Sequence, residues 1–292
     1  MARILRRLLT SLAISAGIFL VIAHVLALTQ WPKPITDGDT LRFPSGTSQQ
    51  TPITLDTFVA RDGSILGYRD IPGIDDHAPL LVLIHGSGWY GVGYVDLARQ
   101  ISKLANYRVV VPDLRGHGLL ADPRGDVAYI GQLEDDLRDF MDHLGAKSAV
   151  FAGHSSGGGL VVRLAGGTHG DMVKRAVLIA PFLKYNAPTT RVQAGGWAHT
   201  LTRRIIGLSM LNMVRLTHLN FLPVIQFNFT RSVLESDKGK HATTSYSHRM
   251  NTSFAPRMAY EQDIAKLPAF LLIVGANDEA FFADDYQKLM SE

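Results

Sequence analysis

The stretch Gly153-His154-Ser155-Ser156-Gly157 holds a serine between glycines at G-x-S-x-G spacing. The apolar run "SAVFAGH" precedes it and a glycine-led apolar run follows, so it falls where a buried strand turns into a helix. That setting suits a nucleophilic serine. A sharp strand-to-helix turn lifts the hydroxyl clear of the sheet, and glycines at 153 and 157 keep a Cβ away from neighbouring backbone. The helix N-terminus beneath offers free N–H groups and a partial positive charge to an anion. The chemistry is acyl transfer, in which Ser155 attacks a carbonyl carbon and carries the acyl group. The structural alternative is a glycine-rich turn with an incidental serine.

Two other stretches carry groups that acyl transfer needs. "LIHGSGWYG" places His85-Gly86 after another buried strand, where a loop brings the Ser87 N–H beside that of Ser156. Together they give two donors for the negative oxygen of a tetrahedral intermediate. His85 is expected to hold that loop through its ring nitrogens rather than act as a base. "VGANDE" ends a strand with Asp278, on the sheet edge where ligands collect in open α/β sheets. A carboxylate there orients a histidine and stabilises its charged form. Glu279 is a neighbouring candidate, and a solvated turn acid is the structural alternative.

The elements that position these groups alternate. "TFVARDGSILGYRDI" reads as two strands around an Asp62-Gly63 hairpin turn. Buried strands follow at 80–86, 107–113, 148–154, 175–181 and 269–275, with helices expected at 93–105, 126–144 and 156–165. Near-continuous apolar strands separated by helices imply a mainly parallel sheet covered on both faces, opened by the antiparallel hairpin. Residues 182–262 break this rhythm and read as an inserted cap, with "IIGLSMLNMVRLTHLNFLPVIQFNF" expected to be helical. The core is then 53–181 and 263–292.

"HGSG", "PDLRGHG", "GHSSGGG" and "VGANDE", in this order, resemble the α/β-hydrolase superfamily, and within it the lysophospholipase or monoacylglycerol-lipase-like serine hydrolases. The resemblance covers roughly residues 53–292. It implies an α/β-hydrolase fold with an inserted helical cap, Ser155 as nucleophile, Asp278 as triad acid, and the Ser87 and Ser156 amides as oxyanion hole. It implies a small-molecule ester or lipid substrate. No metal or organic cofactor is implied. A serine at the elbow argues against dehalogenase-like and epoxide-hydrolase-like relatives, which carry aspartate there. His117 of "DLRGHG" is read as part of a structural turn.

One feature departs from the family. Its triad runs Ser, Asp, His, whereas the eleven histidines here end at His248. The reading is therefore a chain whose last strand, histidine loop and closing helix are missing, and which is impaired in hydrolysis. His241 and His248 are the alternative bases, reaching over from the cap, while His154 is expected to point away from the site. A pseudohydrolase that only binds, and a serine-dependent peptidase or acyltransferase, are the other classes.

The N-terminus belongs to no core. Leu8 to Leu28 is an apolar run of 21 residues, which as a helix spans roughly 31 Å, about one hydrocarbon thickness. Residues 1–28 are expected to be an uncleaved membrane anchor with the domain outside the cytoplasm, because Arg3, Arg6 and Arg7 precede the run. A cleaved signal, giving a secreted protein, is the alternative. Residues 29–52, rich in Pro, Gly, Ser and Thr, read as a linker. Without the three arginines, 26 basic and 26 acidic residues remain, so nothing suggests a nucleic-acid partner. The 292 residues, 46% hydrophobic, suffice for one large core, and with no cysteine there are no disulfides or thiolate metal sites.

Overall fold

A computed structural model describes residues 1–33, 53–191 and 196–291. Most of the expected linker lies outside the described residues. A seven-stranded sheet organises the domain: β1 (Asp56–Val59), β2 (Ile65–Ile71), β3 (Leu80–Ile84), β4 (Arg108–Pro112), β5 (Ala149–His154), β6 (Val173–Ile179) and β10 (Phe270–Ile273). Their spatial order is β1-β2-β4-β3-β5-β6-β10. The first two strands are antiparallel, and β4, β3, β5, β6 and β10 run parallel. All five parallel strands therefore end on one edge of the sheet. The hairpin turn sits where Asp62-Gly63 predicts it, with Gly63 in the left-handed region at φ +83°.

Alternation along each strand divides the apolar side chains between two faces. Val82 and Ile84 of β3 pack in the larger core with Leu133, Leu137 and Phe140 of α3 (Gln132–His143) and Leu160, Val161 and Leu164 of α4 (Ser156–Gly166). Leu81 and Leu83 pack on the opposite face with Ala98 of α2 (Val95–Ala105). Both faces are covered, which explains strands that read as continuous apolar runs. At the outer side of β10, Leu271 and Ile273 are exposed (56% and 47%), in contrast to the fully buried Leu83 and Ile84 of the central β3.

Two element expectations need correction. The helix read over 126–144 begins only at Gln132, after Gly131 at φ +104°. Residues before it are held as a loop by side chains: Ser247 Oγ and Arg249 Nε donate to Asp126 Oδ1 at 2.6 and 2.7 Å. The apolar run over 205–229 is only half helical. Helix α5 (Thr202–Met213) ends, and Pro223–Phe227 forms β8, the centre of a small antiparallel sheet with β7 (Ala198–Thr200) and β9 (Ser245–Ser247). Pro223 stops a helix from continuing, and the β-branched and aromatic residues after it favour a strand. The rest of the β6–β10 connection is short helices, including α6 (Arg231–Leu234), α7 (His248–Phe254) and α8 (Tyr260–Ile264).

The N-terminal helix α1 (Ala2–Leu28) is long and apolar enough to cross a membrane by length and composition. Most of its surface is exposed, but Ala23 and Ala27 are fully buried against Leu208 and Leu211 of α5 and Val224 of β8. Buried Arg204 donates to Ala27 O (3.0 Å) and Pro223 O (2.8 Å), and also to Gln30 O. Past α1, the Lys33 backbone exchanges two hydrogen bonds with the Gln226 side chain, at 2.8 and 2.7 Å. A last helix, α9 (Asp285–Met290), returns Tyr286 and Met290 to the larger core.

Candidate active site

Ser155 occupies a strained turn between β5 and α4, with φ +53° and ψ −121°. A non-glycine residue adopts such a backbone only where its surroundings impose it, and such positions concentrate at functional sites. Three backbone bonds impose it here: Ser155 N–H donates to Ile179 O (2.9 Å), and Ser155 O accepts from Gly159 N (3.1 Å) and Phe182 N (2.9 Å). The flanking glycines are sterically required. A Cβ on Gly153 would lie 2.4 Å from Gly157 O, and one on Gly157 would lie 2.5 Å from His85 O. The second contact also shows how closely the β3 loop approaches the elbow. A Cβ on Gly86 would sit 3.4 Å from Ser155 Cβ.

That loop is braced from several directions. His85 is fully buried, and burial pushes its pKa well below the ordinary histidine value. Its Nε2 accepts from Leu114 N–H (3.1 Å), which leaves Nδ1–H to donate to Gly86 O (2.8 Å). Both ring nitrogens are hydrogen-bonded to backbone atoms. Gly86 N–H donates to Tyr94 Oη (3.1 Å), and Gly88 N–H donates to Tyr246 Oη (2.6 Å). Asp113 Oδ1, following β4, accepts from Gly91 N–H (2.8 Å) and from buried Arg69 Nη1 (2.6 Å). Burial raises the Asp113 pKa, while Arg69 works against that shift. Between Gly86 and Gly88, the amide of Ser87 makes no hydrogen bond among the described residues, nor does that of Ser156 at the first turn of α4. The two amides expected to face an oxyanion are thus the uncommitted ones.

Asp278 lies at the end of β10, on the same sheet edge as Ser155 but with β6 between their strands. Its Oδ1 accepts from the N–H groups of Ala280 (2.8 Å) and Phe281 (2.9 Å), which fixes the carboxylate against its own turn. Arg191 Nε donates to its backbone oxygen at 3.1 Å. Its charge reaches His154, where it opposes the lowering of the pKa by burial. His154 is otherwise engaged: Tyr94 Oη, which accepts from Gly86 N–H, shares a hydrogen bond with His154 Nδ1 at 2.8 Å. Among the described residues no histidine is hydrogen-bonded to Ser155. His241 stands edge-on to the Tyr90 ring, with centroids 6.3 Å apart, and His248 is buried with Nδ1 unpartnered and its pKa pushed down to about 4.

Tyr94, Tyr246 and Asp113 escaped the sequence reading. Asp113 stands in the "PDLRGHG" stretch, so its place after a strand was visible, but the tyrosines carry no local signal. Tyr246 Oη also donates to His117 Nε2 (2.6 Å), and His117 Nδ1–H donates to Arg115 O (2.9 Å). The β6–β10 connection therefore locks the Ser87 loop to the turn after β4. Its aromatic residues Trp197 and Phe229 stand over the same loop, with Trp197 Nε1 3.5 Å from Ser87 Oγ. A separate depression of about 440 Å³ is lined by Phe58, Arg61 and His143 at the β1 side of the sheet, with β2, β4 and β3 between β1 and the Ser155 strand.

A strained serine elbow beside uncommitted amides, on a sheet of this order, defines an α/β-hydrolase. The model of the alpha/beta hydrolase family matches residues 81–292, and the chain belongs to that family. Its sequence is 36% identical over 87 residues to the magnesium-chelatase 30 kDa subunit of Rhodobacter capsulatus, a match covering 30% of each chain. The curated relatives it matches are thus spanned over about a third of their length or less. Among solved structures, the chain is similar to the monoacylglycerol lipase of Paleococcus ferrophilus, with TM-score 0.55, 19% identity, and 77% and 83% of the two chains covered. It is also similar to a membrane phospholipase A described as a bacterial virulence factor, with TM-score 0.56, 21% identity, and 100% of this chain and 87% of the other covered. Likeness at this identity concerns the fold.

Proposed function

We propose that the chain is a serine hydrolase of carboxylic esters, with Ser155 as nucleophile. The single observation that carries this reading is the strained Ser155 backbone next to the unbonded Ser87 and Ser156 amides. Ser155 Oγ attacks the ester carbonyl carbon, its proton passes to the departing alkoxide, and the C–O bond to that alkoxide breaks. The negative oxygen of the tetrahedral intermediate accepts hydrogen bonds from the Ser87 and Ser156 amides. Water then attacks the acyl-serine, releasing a carboxylic acid and restoring the hydroxyl. Asp278 is the acid that orients the base. Among the described residues no histidine is hydrogen-bonded to Ser155, so turnover by these 292 residues is slow, at the residual level left when a triad member does not act. The cap of residues 182–262 supplies the roof, and the substrates are small-molecule or lipid esters, in keeping with the apolar residues of that region. Residues 1–28 anchor the domain outside the cytoplasm.

That no described histidine bonds Ser155 favours a second reading, a pseudohydrolase that binds without turnover. A fluorophosphonate probe separates the two, because it reacts only with an activated serine. Labelling of the parent chain that disappears in Ser155→Ala but persists in Ser156→Ala supports the hydrolase. No labelling of the folded parent supports the binding protein.

A further inference from the structure

We infer that α5 is a second membrane element: it descends beside α1 and places an apolar tip, residues 213–221, in the outer leaflet of a phospholipid bilayer. The inference rests on reading α1 as a membrane span. The contacts between the two helices run in opposite order along the chains. Arg203 bonds Thr29 O (2.9 Å), Arg204 bonds Ala27 O, and a Cβ on Gly207 would lie 2.5 Å from Ala23 O. As residue numbers rise along α5 they fall along α1, so the helices are antiparallel. Helix α5 starts level with the end of α1 and runs back along it. Met213 lies nine residues past Arg204, about 13 Å further along at the helical rise. If α1 enters lipid near Leu28, this displacement carries the end of α5 below the headgroups.

The side chains at that end suit lipid. Met213, Val214, Leu216 and Phe221 are 79%, 49%, 37% and 53% exposed. They continue the apolar surface that α1 offers through Ile18, Val21 and Val25, which are 55%, 63% and 52% exposed. An apolar patch of this kind calls for a partner. Of the polar groups at that end, Thr217 is exposed, His218 packs on His24 of α1 with ring centroids 5.6 Å apart, and the two asparagines are paired internally, as a low-dielectric setting requires. Asn212 and Asn220 exchange two hydrogen bonds, at 2.7 and 2.9 Å, and Asn212 also donates to Leu208 O at 2.6 Å. Exposed Arg215 has a stem long enough to return its charge to the headgroups. The tight α1–α5 seam makes the tip's depth a fixed property rather than a loose association. Since the same connection carries Tyr246 and Trp197, this geometry puts the Ser155 edge beside the lipid surface.

The chain has no cysteine, so single labels can be placed without other changes. Met213→Cys, Phe221→Cys, Ile14→Cys and Leu104→Cys would each carry an NBD fluorophore in the full chain, reconstituted in phosphatidylcholine–phosphatidylglycerol vesicles. All four side chains are exposed, so the fold tolerates the substitutions. The expected result is loss of most emission at 213, 221 and 14 with spin-labelled lipid and little loss with aqueous iodide, with the reverse at 104. Iodide quenching at both 213 and 221, with 14 still lipid-quenched, overturns the inference and leaves the anchor standing. Iodide quenching at all positions overturns the anchor reading as well. Protection of 213 and 221 from both quenchers would mean a protein surface covers the tip, and also overturns it.

Discussion

Replacing Tyr246 by Phe removes one hydroxyl and leaves two buried groups without partners. The hydroxyl accepts from Gly88 N–H and donates to His117 Nε2, both at 2.6 Å, and Tyr246 and His117 are each 2% exposed. An unsatisfied buried polar group costs about 1–3 kcal/mol, so the pair costs about 3 kcal/mol, taking a value near the lower end for each. For a domain of this size, about 2–4 °C of melting temperature is lost per kcal/mol, which gives a fall of roughly 6–12 °C. Circular dichroism of the detergent-solubilised chain measures it, with Tyr260→Phe as baseline. The second readout is the rate of fluorophosphonate labelling. Gly88 neighbours the Ser87 amide, so a loosened loop slows labelling, with the loss of one whole oxyanion donor, about 10²- to 10³-fold, as ceiling. A Tyr246→Phe chain that melts with the baseline variant refutes the buried relay. One that melts lower but labels at the parent rate shows that Tyr246 supports the fold without positioning the loop.

Other outcomes follow from the same geometry. Gly157→Ala sets a methyl 2.5 Å from a backbone oxygen that cannot move aside, and should cost about 3 kcal/mol or more, seen as a lower urea midpoint and a lost fluorophosphonate signal. Ser155→Ala should abolish p-nitrophenyl acetate hydrolysis above the buffer rate, while Ser156→Ala retains most of what the parent shows, because only its amide is used. Stability should fall with acid: His117 and His248 are held down to about 4 by burial, so the unfolded chain binds their protons first. Their contribution is complete above about pH 6.5, the unfolded value, and is lost as pH falls toward 4, at up to about 1.4 kcal/mol per pH unit for each. Asp113 and Glu134, whose pKa values burial raises, act in the opposite sense, so His248→Gln should flatten the urea-midpoint profile by one proton's worth against the parent.

Those elements whose signal is local were readable from the chain alone. Alternation around Asp62-Gly63 gave the hairpin, and the runs ending at His85, Asp113, His154 and Asp278 placed four loops on one sheet edge. His85 stands at the end of such a run, and its buried ring finds backbone partners on Gly86 and Leu114. What stayed hidden depends on distant partners. The loop before α3 is held open by Ser247 and Arg249, over a hundred positions away, and no periodicity within 126–131 reports them. Pro223 marked the break in the apolar run, yet that run was read as helix because β8 needs β7 and β9 beside it. Tyr94 and Tyr246 look like ordinary aromatic residues until the loop they hold is folded.

The seam between α1 and α5 also sets an order of events. Arg204 and Ala27, joined by a hydrogen bond, stand 177 positions apart. During synthesis α1 emerges long before its partner exists, and as the proposed anchor it can settle in lipid in that interval. Bringing such distant segments together costs of order 4–5 kcal/mol in chain entropy for a free loop, so the seam forms late, after the sheet has shortened the path. Until then Gly207, Leu208 and Leu211 lack the cover that Ala23 and Ala27 give them, and the nascent chain presents an apolar strip. On the proposed reading of α1 as a membrane anchor, assembly of this seam is a post-insertion step, and variants that weaken it would accumulate as inserted but unfinished protein rather than as soluble aggregates.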